Sequence, residues 1–368
     1  MNQEYTTYAN VTRTYNGKRT VYEAAQELQS ITVRTDLLYG KQHGFWNGSP
    51  ILEIESEPGT VTPEIAALTE PIDRHIDEHD AISQLYYLIM ESIEKSWQPD
   101  AFHLVFHSSG WDSRMISGVI KKLLKDNGPE WLGTGLLFLS NRWEADEFIA
   151  IMGAMGWPSS QYAVYREGSP FEHFAQHAYD MWRCGPCPRP GNMFWYLPAW
   201  AEKRGLMPGE NVQAYTGLWA NEVWHAFFPG PINWWQRRVR KSFGIHMLAS
   251  MPLKAQWTEY PLVSLPILET LRRTKREGLT GNTLRQAVGM LACPEANHIQ
   301  AIRSSDGSRP LSGRLRKELD THYKETAFGK HQEWWVPPHS SNATDWGRWS
   351  TALLVDKLIA EGKSCEWV

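Results

Sequence analysis

Leu104-Val105-Phe106-His107-Ser108-Ser109-Gly110-Trp111-Asp112-Ser113-Arg114 runs from an apolar stretch into small, hydroxyl-bearing residues, then into a helical pattern over 115–124. The apolar part predicts a buried strand, and the whole reads as a strand–loop–helix junction. Such a junction presents backbone N–H groups at the positively polarised start of a helix, where a phosphate chain fits. Ser108, Ser109 and Ser113 add hydroxyl donors, and Gly110 lets backbone approach closely. The Asp112 carboxylate is suited to hold Mg²⁺ on the phosphates. The lysine and glycine spacing of a Walker-type loop are absent. An ordinary strand-to-helix turn with a capping Ser or Asp is the plainer reading of the same residues.

On the N-terminal side, Ile82, Leu85, Tyr86, Ile89 and Ile93 recur at helical spacing after Asp80, a suitable N-cap, and Pro99 closes that helix before a strand at 102–106. On the C-terminal side, a strand at 134–139 is followed by the acidic helix start Glu144-Ala145-Asp146-Glu147 and an apolar helix to Met155-Gly156. A short strand at 161–165, helices near 170–182 and over 193–205, and a strand at 211–215 ending in Thr216-Gly217 complete the alternation. Strands alternating with helices predict an α/β fold, a doubly wound parallel sheet covered on both faces. Ligands of such sheets bind beyond the carboxyl ends of the strands, where the Ser108 and Thr216 loops would both lie. Residues 1–79 read as a small β-rich module, with a strand-like run at Ser49-Pro-Ile-Leu-Glu-Ile-Glu55 and turns at Asn47-Gly48 and Pro58-Gly59. Residues 80–368 form the second unit, mostly helical beyond Trp224, with no internal repeat.

Composition narrows the class. The 368 residues are 42% hydrophobic and 21% charged, as in globular proteins, and the net charge of -4 gives no support for broad nucleic-acid or anionic-membrane binding. No apolar run approaches the roughly 20 residues of a membrane-spanning helix. The polar start Met1-Asn2-Gln3-Glu4-Tyr5 is no signal peptide, and with four cysteines the expected compartment is the reducing cytoplasm. Nineteen tryptophans suit base stacking, but core packing is their commoner use.

Tyr215-Thr216-Gly217-Leu218-Trp219-Ala220-Asn221-Glu222 is the second chemical element: a strand ending in Thr-Gly, then oxygen ligands for a metal. With it the chain resembles the PP-loop ATP pyrophosphatases, in particular the synthetase domain of asparagine synthetase and β-lactam synthetase. The motif order over about 80–360 carries the likeness: Ser108 to Ser113, Asp146-Glu147, Thr216 to Glu222, Pro261-Leu262-Val263, Leu284-Arg285-Gln286-Ala287, and Arg303-Ser304-Ser305-Asp306-Gly307. The resemblance implies an adenine-nucleotide-binding α/β domain and an ATP-dependent, AMP-forming ligase that adenylates a carboxylate and forms an amide. By it, Ser108, Ser109, Gly110, Asp112 and Ser113 hold the ATP phosphates. Thr216 and Gly217 contact the nucleoside, and the backbone at Leu137-Phe138 packs on adenine. Asp112, Asn221 and Glu222 face Mg²⁺, and Arg285 and Arg303 are the candidate catalytic cations.

The departures are specific. Ser109 replaces a glycine of the family's loop, and Leu218 stands where the family carries an acid or tyrosine. Asn221 replaces a metal-side Asp, and Ser305 a lysine. Asn2 follows Met1 where the family's glutaminase cysteine would begin the mature chain, so the amine is expected from solution, from the substrate itself or from a partner, and a partner protein or a homodimer is a separate expectation. The partners implied are thus a small-molecule carboxylate and an amine. Two other readings stay open: adenylation of a nucleobase in a nucleotide or RNA, and a nucleotide-binding protein that has lost catalysis.

The remaining chemistry-bearing residues read as structural. Cys184-Gly-Pro-Cys187 lacks the strand-before, helix-after context of a redox motif, and Cys293 and Cys365 are distant singles. His107 adjoins the loop as either a phosphate contact or a hydrogen-bonded structural histidine. The basic runs Arg237 to Lys241 and Arg272 to Arg276 read as solvated faces.

Overall fold

The computed structural model describes residues 21–33, 72, 74–166, 197–217, 220, 224, 255–275, 281–301, 313–331 and 342–368. The elements begin with α1 (Val21–Glu27), β1 (Ser30–Val33), α2 (Glu78–Ser96), β2 (Phe102–Phe106), α3 (Trp111–Asn127), β3 (Gly135–Asn141), α4 (Ala145–Ala154) and β4 (Tyr162–Tyr165). They continue with α5 (Leu197–Lys203), β5 (Val212–Thr216), β6 (Ala255–Glu259), α6 (Leu265–Arg273) and α7 (Gly281–Ala292). The chain closes with α8 (Gly313–Glu325), α9 (Ala327–His331), α10 (Asn342–Ala360) and β7 (Ser364–Trp367).

Five strands form a wholly parallel sheet in the order β4-β3-β2-β5-β6, and β1 pairs with β7 in a two-stranded parallel sheet. The fold is α/β with parallel sheets. Successive strand residues face opposite sides of a sheet, and His103, Leu104, Val105 and Phe106 are all buried, so both faces are covered at β2. The apolar stretch therefore forms the middle strand, as its unbroken hydrophobicity predicts.

Several boundaries move for local reasons. The α2 N-cap is Asp77, whose side chain accepts the Asp80 N–H at 3.0 Å, and Asp80 lies in the first turn. There its charge suits the helix dipole, which is why it resembled a cap. Leu85, Ile89 and Ile93 form the buried stripe, while Ile82 and Tyr86 flank it. Helix α3 begins four residues before the expected 115, so the loop shrinks to Ser108-Ser109-Gly110 and Asp112 and Ser113 belong to the first helical turn.

Beyond Trp224 the described residues are mostly helical, but β6 was not anticipated. Five residues without clear alternation are too few for periodicity to separate strand from helix. Of residues 1–79, β1 lies beside the C-terminal β7, the Val368 N–H donates to Val33 O at 3.0 Å, and Lys363 Nζ donates to Leu28 O at 2.6 Å. The strand-like run at 49–55, both turn signals, and the helix expected near 170–182 lie outside the described residues. Among the described residues, no helix is long and apolar enough to cross a membrane.

Candidate functional site

The sheet order reverses about β2. From it the chain moves outward through β3 and β4, then returns to β2's other side with β5 and β6. Connections leaving β2 and β5 thus diverge, and such a divergence leaves a crevice beyond the strand ends. Both expected loops open there: Ser108-Ser109-Gly110 after β2, and Gly217 after β5.

The first loop is held by its own small side chains. The Ser108 N–H donates to Ser113 Oγ at 3.0 Å, the two hydroxyls lie 2.9 Å apart, and the Gly110 N–H donates to Ser108 Oγ at 3.1 Å. Gly110 caps α3 without a side-chain bond, and the first intrahelical bond is from the Arg114 N–H to Gly110 O at 3.3 Å. The Trp111 and Ser113 N–H groups therefore precede the helical ladder, as the donors of an anion site must.

Ser109, the departure from glycine, is fully buried and gripped from both ends. Its N–H donates to the carboxylate of Glu144, and its carbonyl accepts Arg114 Nε at 3.1 Å. Neither Glu144 nor Arg114 was a sequence candidate. Glu144 read as part of an acidic helix start, and its reach under the loop depends on the turn between β3 and α4.

Three widely separated stretches converge on Asp112. Arg285 approaches its carboxylate side-on, with a guanidinium nitrogen 3.2 Å from Oδ2 and Nε 3.2 Å from Oδ1, while another nitrogen donates to Asn282 Oδ1 at 3.0 Å. Their side chains are 14% and 22% exposed, little enough for the pair to hold its geometry. A Cβ on Gly217 would fall 2.6 Å from Asp112 Cβ, so the second loop rests directly on the first. Helix α7 carries Arg285 here because it crosses α3 at backbone distance. A Cβ on Gly118 would lie 2.1 Å from Ala292 O, and one on Gly289 would lie 2.8 Å from the Trp111 ring.

Other candidates fall elsewhere. Leu137 lies mid-strand in β3, in register with Leu104, and both it and Phe138 are buried. The strand expected over 134–139 runs on to Asn141, so Leu137-Phe138, the expected adenine contact, lies within the strand rather than at its end. Thr216 is the buried last residue of β5. Asn221, Glu222, Arg303, Leu218 and Ser305 lie outside the described residues, as do Cys184 and Cys187.

His107 turns into the core, with Nε2 3.0 Å from Ser117 Oγ, and burial and then Arg114 push its imidazole down to about 3. It is the structural, neutral histidine. His103 stacks on Trp97 with ring centres 3.4 Å apart, Trp97 on Trp131 at 4.0 Å, and burial pushes His103 down to about 3. These tryptophans serve packing. Arg272 pairs with Glu269 at 2.9 Å, and burial pushes the Cys293 thiol up to about 11. Among the described residues no group of three or more His, Cys, Asp or Glu could hold a metal ion. No protein-family model matches the chain, and no curated protein matches it.

Proposed function

We propose that the chain binds ATP with its phosphates at the Ser108 loop and adenylates a small-molecule carboxylate, which an amine then converts to an amide. The observation that carries this is the convergence of the α3 first turn, Gly217 and Arg285 on Asp112, beyond the strands where the sheet order reverses. Open parallel sheets hold nucleotides at that place, which also supports a doubly wound, adenine-nucleotide fold. The proposed setting is the cytoplasm.

Mg²⁺ fits as an ion carried on the phosphates, since it is customarily held by one or two carboxylates plus phosphate oxygens, and Asp112 is a partly exposed carboxylate at the helix start. Asn221 and Glu222 would complete its ligands. Bound there, Mg²⁺ supplies charge neutralisation on the phosphate chain.

The substrate carboxylate attacks the α-phosphorus in line, the bond to the β-phosphate oxygen breaks, and pyrophosphate leaves. The amine nitrogen then attacks the acyl carbon, the bond to AMP breaks, and the nitrogen loses a proton. The chain supplies position and charge: the α3 start and the Ser108 and Ser113 hydroxyls hold the phosphates. Arg285, with Arg303, meets the charge that develops on pyrophosphate.

A second reading, nucleotide binding without turnover, is favoured by Arg285 itself, whose guanidinium is engaged by Asp112. Calorimetric titration with ATP and Mg²⁺, beside Asp112→Ala, tests the site. Metal-dependent binding in the wild type, lost in the variant, is expected; no binding in the wild type overturns the proposal. AMP release with a panel of carboxylates and amines then separates the ligase from the non-catalytic reading.

A further inference from the structure

The phosphate loop already holds an anion, and the anion is its own. The Ser109 N–H donates to the Glu144 carboxylate, and Glu144 and Ser109 are 6% and 0% exposed, so this contact is sheltered from water. On the other side of the same residue lies a cation. Arg114 is 0% exposed, donates from Nε to Ser109 O at 3.1 Å and from a terminal nitrogen to Ala296 O at 3.0 Å, and covers the Trp111 ring at 4.6 Å. Its other terminal nitrogen is buried without a hydrogen-bond partner, and no carboxylate lies within ion-pair distance of it among the described residues. Carbonyls satisfy N–H groups but leave the charge, and a buried charge without a counterion is costly. Glu144 and Arg114 thus bond opposite ends of the same Ser109 peptide segment.

We propose that the Ser109 N–H is a phosphate-binding donor, that Glu144 is the internal anion that engages it, and that a phosphate group displaces the Glu144 carboxylate while Arg114 stays as the buried cation. This rests on the phosphate-site reading above and assigns two residues to it. The ligand class is a multiply charged phosphate chain, because an anion is what exchanges for a carboxylate on an N–H whose residue is held at its other end by a retained guanidinium. Arg114 also ties the loop to the turn after α7, through Ala296 O, so the loop and the helix bearing Arg285 are held as one piece.

The two residues act with opposite sign, and that signature separates charge from mere structure. Metal-free inorganic pyrophosphate is titrated calorimetrically into wild type, Glu144→Gln and Arg114→Gln, with melting temperatures measured beside each. Glu144→Gln keeps an acceptor for the Ser109 N–H and removes the charge, so pyrophosphate binds about tenfold or more tightly than in the wild type. Arg114→Gln weakens it by a similar factor, and Arg114→Lys, which keeps the charge, restores part of the loss. A structural role alone would weaken binding in both Gln variants. Equal or weaker binding by a folded Glu144→Gln overturns the exchange while leaving the phosphate site standing. Pyrophosphate binding by none of the four proteins overturns both. Should Arg114→Gln fail to fold, the Glu144→Gln comparison decides alone.

Discussion

At the scale of single residues, Gly217 is the tightest constraint on the site. Its missing side chain leaves room for Asp112, and an added Cβ would sit 2.6 Å from Asp112 Cβ and 3.0 Å from its carbonyl carbon. The carbonyl is backbone and a Cβ does not move with χ1, so no rotamer change relieves the clash. Gly217→Ala should therefore cost about 1–3 kcal/mol of stability, as overpacking does, and should also separate the two loops. Urea unfolding checks the first effect and ATP titration the second. An unchanged midpoint together with unchanged affinity would mean that the loops do not meet at Asp112. Gly110, in the first loop, is not so constrained: its φ is an ordinary -72° and its added Cβ would meet only the Ser108 hydroxyl at 3.1 Å.

At the scale of elements, the crossing of α3 and α7 delivers Arg285, and its glycines can be told apart by what surrounds them. Gly118→Ala drives a methyl to 2.1 Å from the Ala292 carbonyl oxygen, so it should destabilise by about 1–3 kcal/mol and weaken the Asp112–Arg285 contact. Gly153, inside α4 with nothing within 4 Å, should respond oppositely. Gly153→Ala should stabilise by about 0.5–1 kcal/mol through helix propensity alone. Paired thermal melts read the two signs, and a loss at both positions would mean that α4 is not helical there. These elements also mark what a sequence discloses. Strand β2 and its loop were legible because an apolar run and a cluster of small residues are local signals. The resemblance placed Asp112 and Arg285 at one site, yet their ion pair, 173 residues apart, is created by the helix crossing. Glu144 beneath Ser109 was illegible for the same reason, since it depends on how the turn after β3 curls. The end of β3 was read early, at 139 rather than Asn141, because apolar patterning marks where a strand lies more reliably than where it ends.

At the scale of the whole molecule, the buried core sets a pH dependence with two opposed limbs. Burial pushes His103, and burial with Arg114 pushes His107, from 6.5 down to about 3. The folded chain refuses protons that the unfolded chain accepts, so their contribution is full above pH 6.5 and is lost as pH falls toward 3. Glu259, at the carboxyl end of β6 in register with Tyr215, is pushed the other way by burial, from 4.5 up to about 8. Its contribution is full below pH 4.5 and is lost as pH rises toward 8. Each group is worth about 1.4 kcal/mol per pH unit inside its window. Between pH 4.5 and 6.5 two histidines outweigh one carboxyl, and between 6.5 and 8 the carboxyl acts alone, so these groups place the stability maximum near pH 6.5. Glu259→Gln should flatten the alkaline limb and leave the acid limb in place, measured by urea unfolding at several pH values across this range. A Glu259→Gln curve that runs parallel to wild type above pH 6.5 would mean that the carboxyl is solvated.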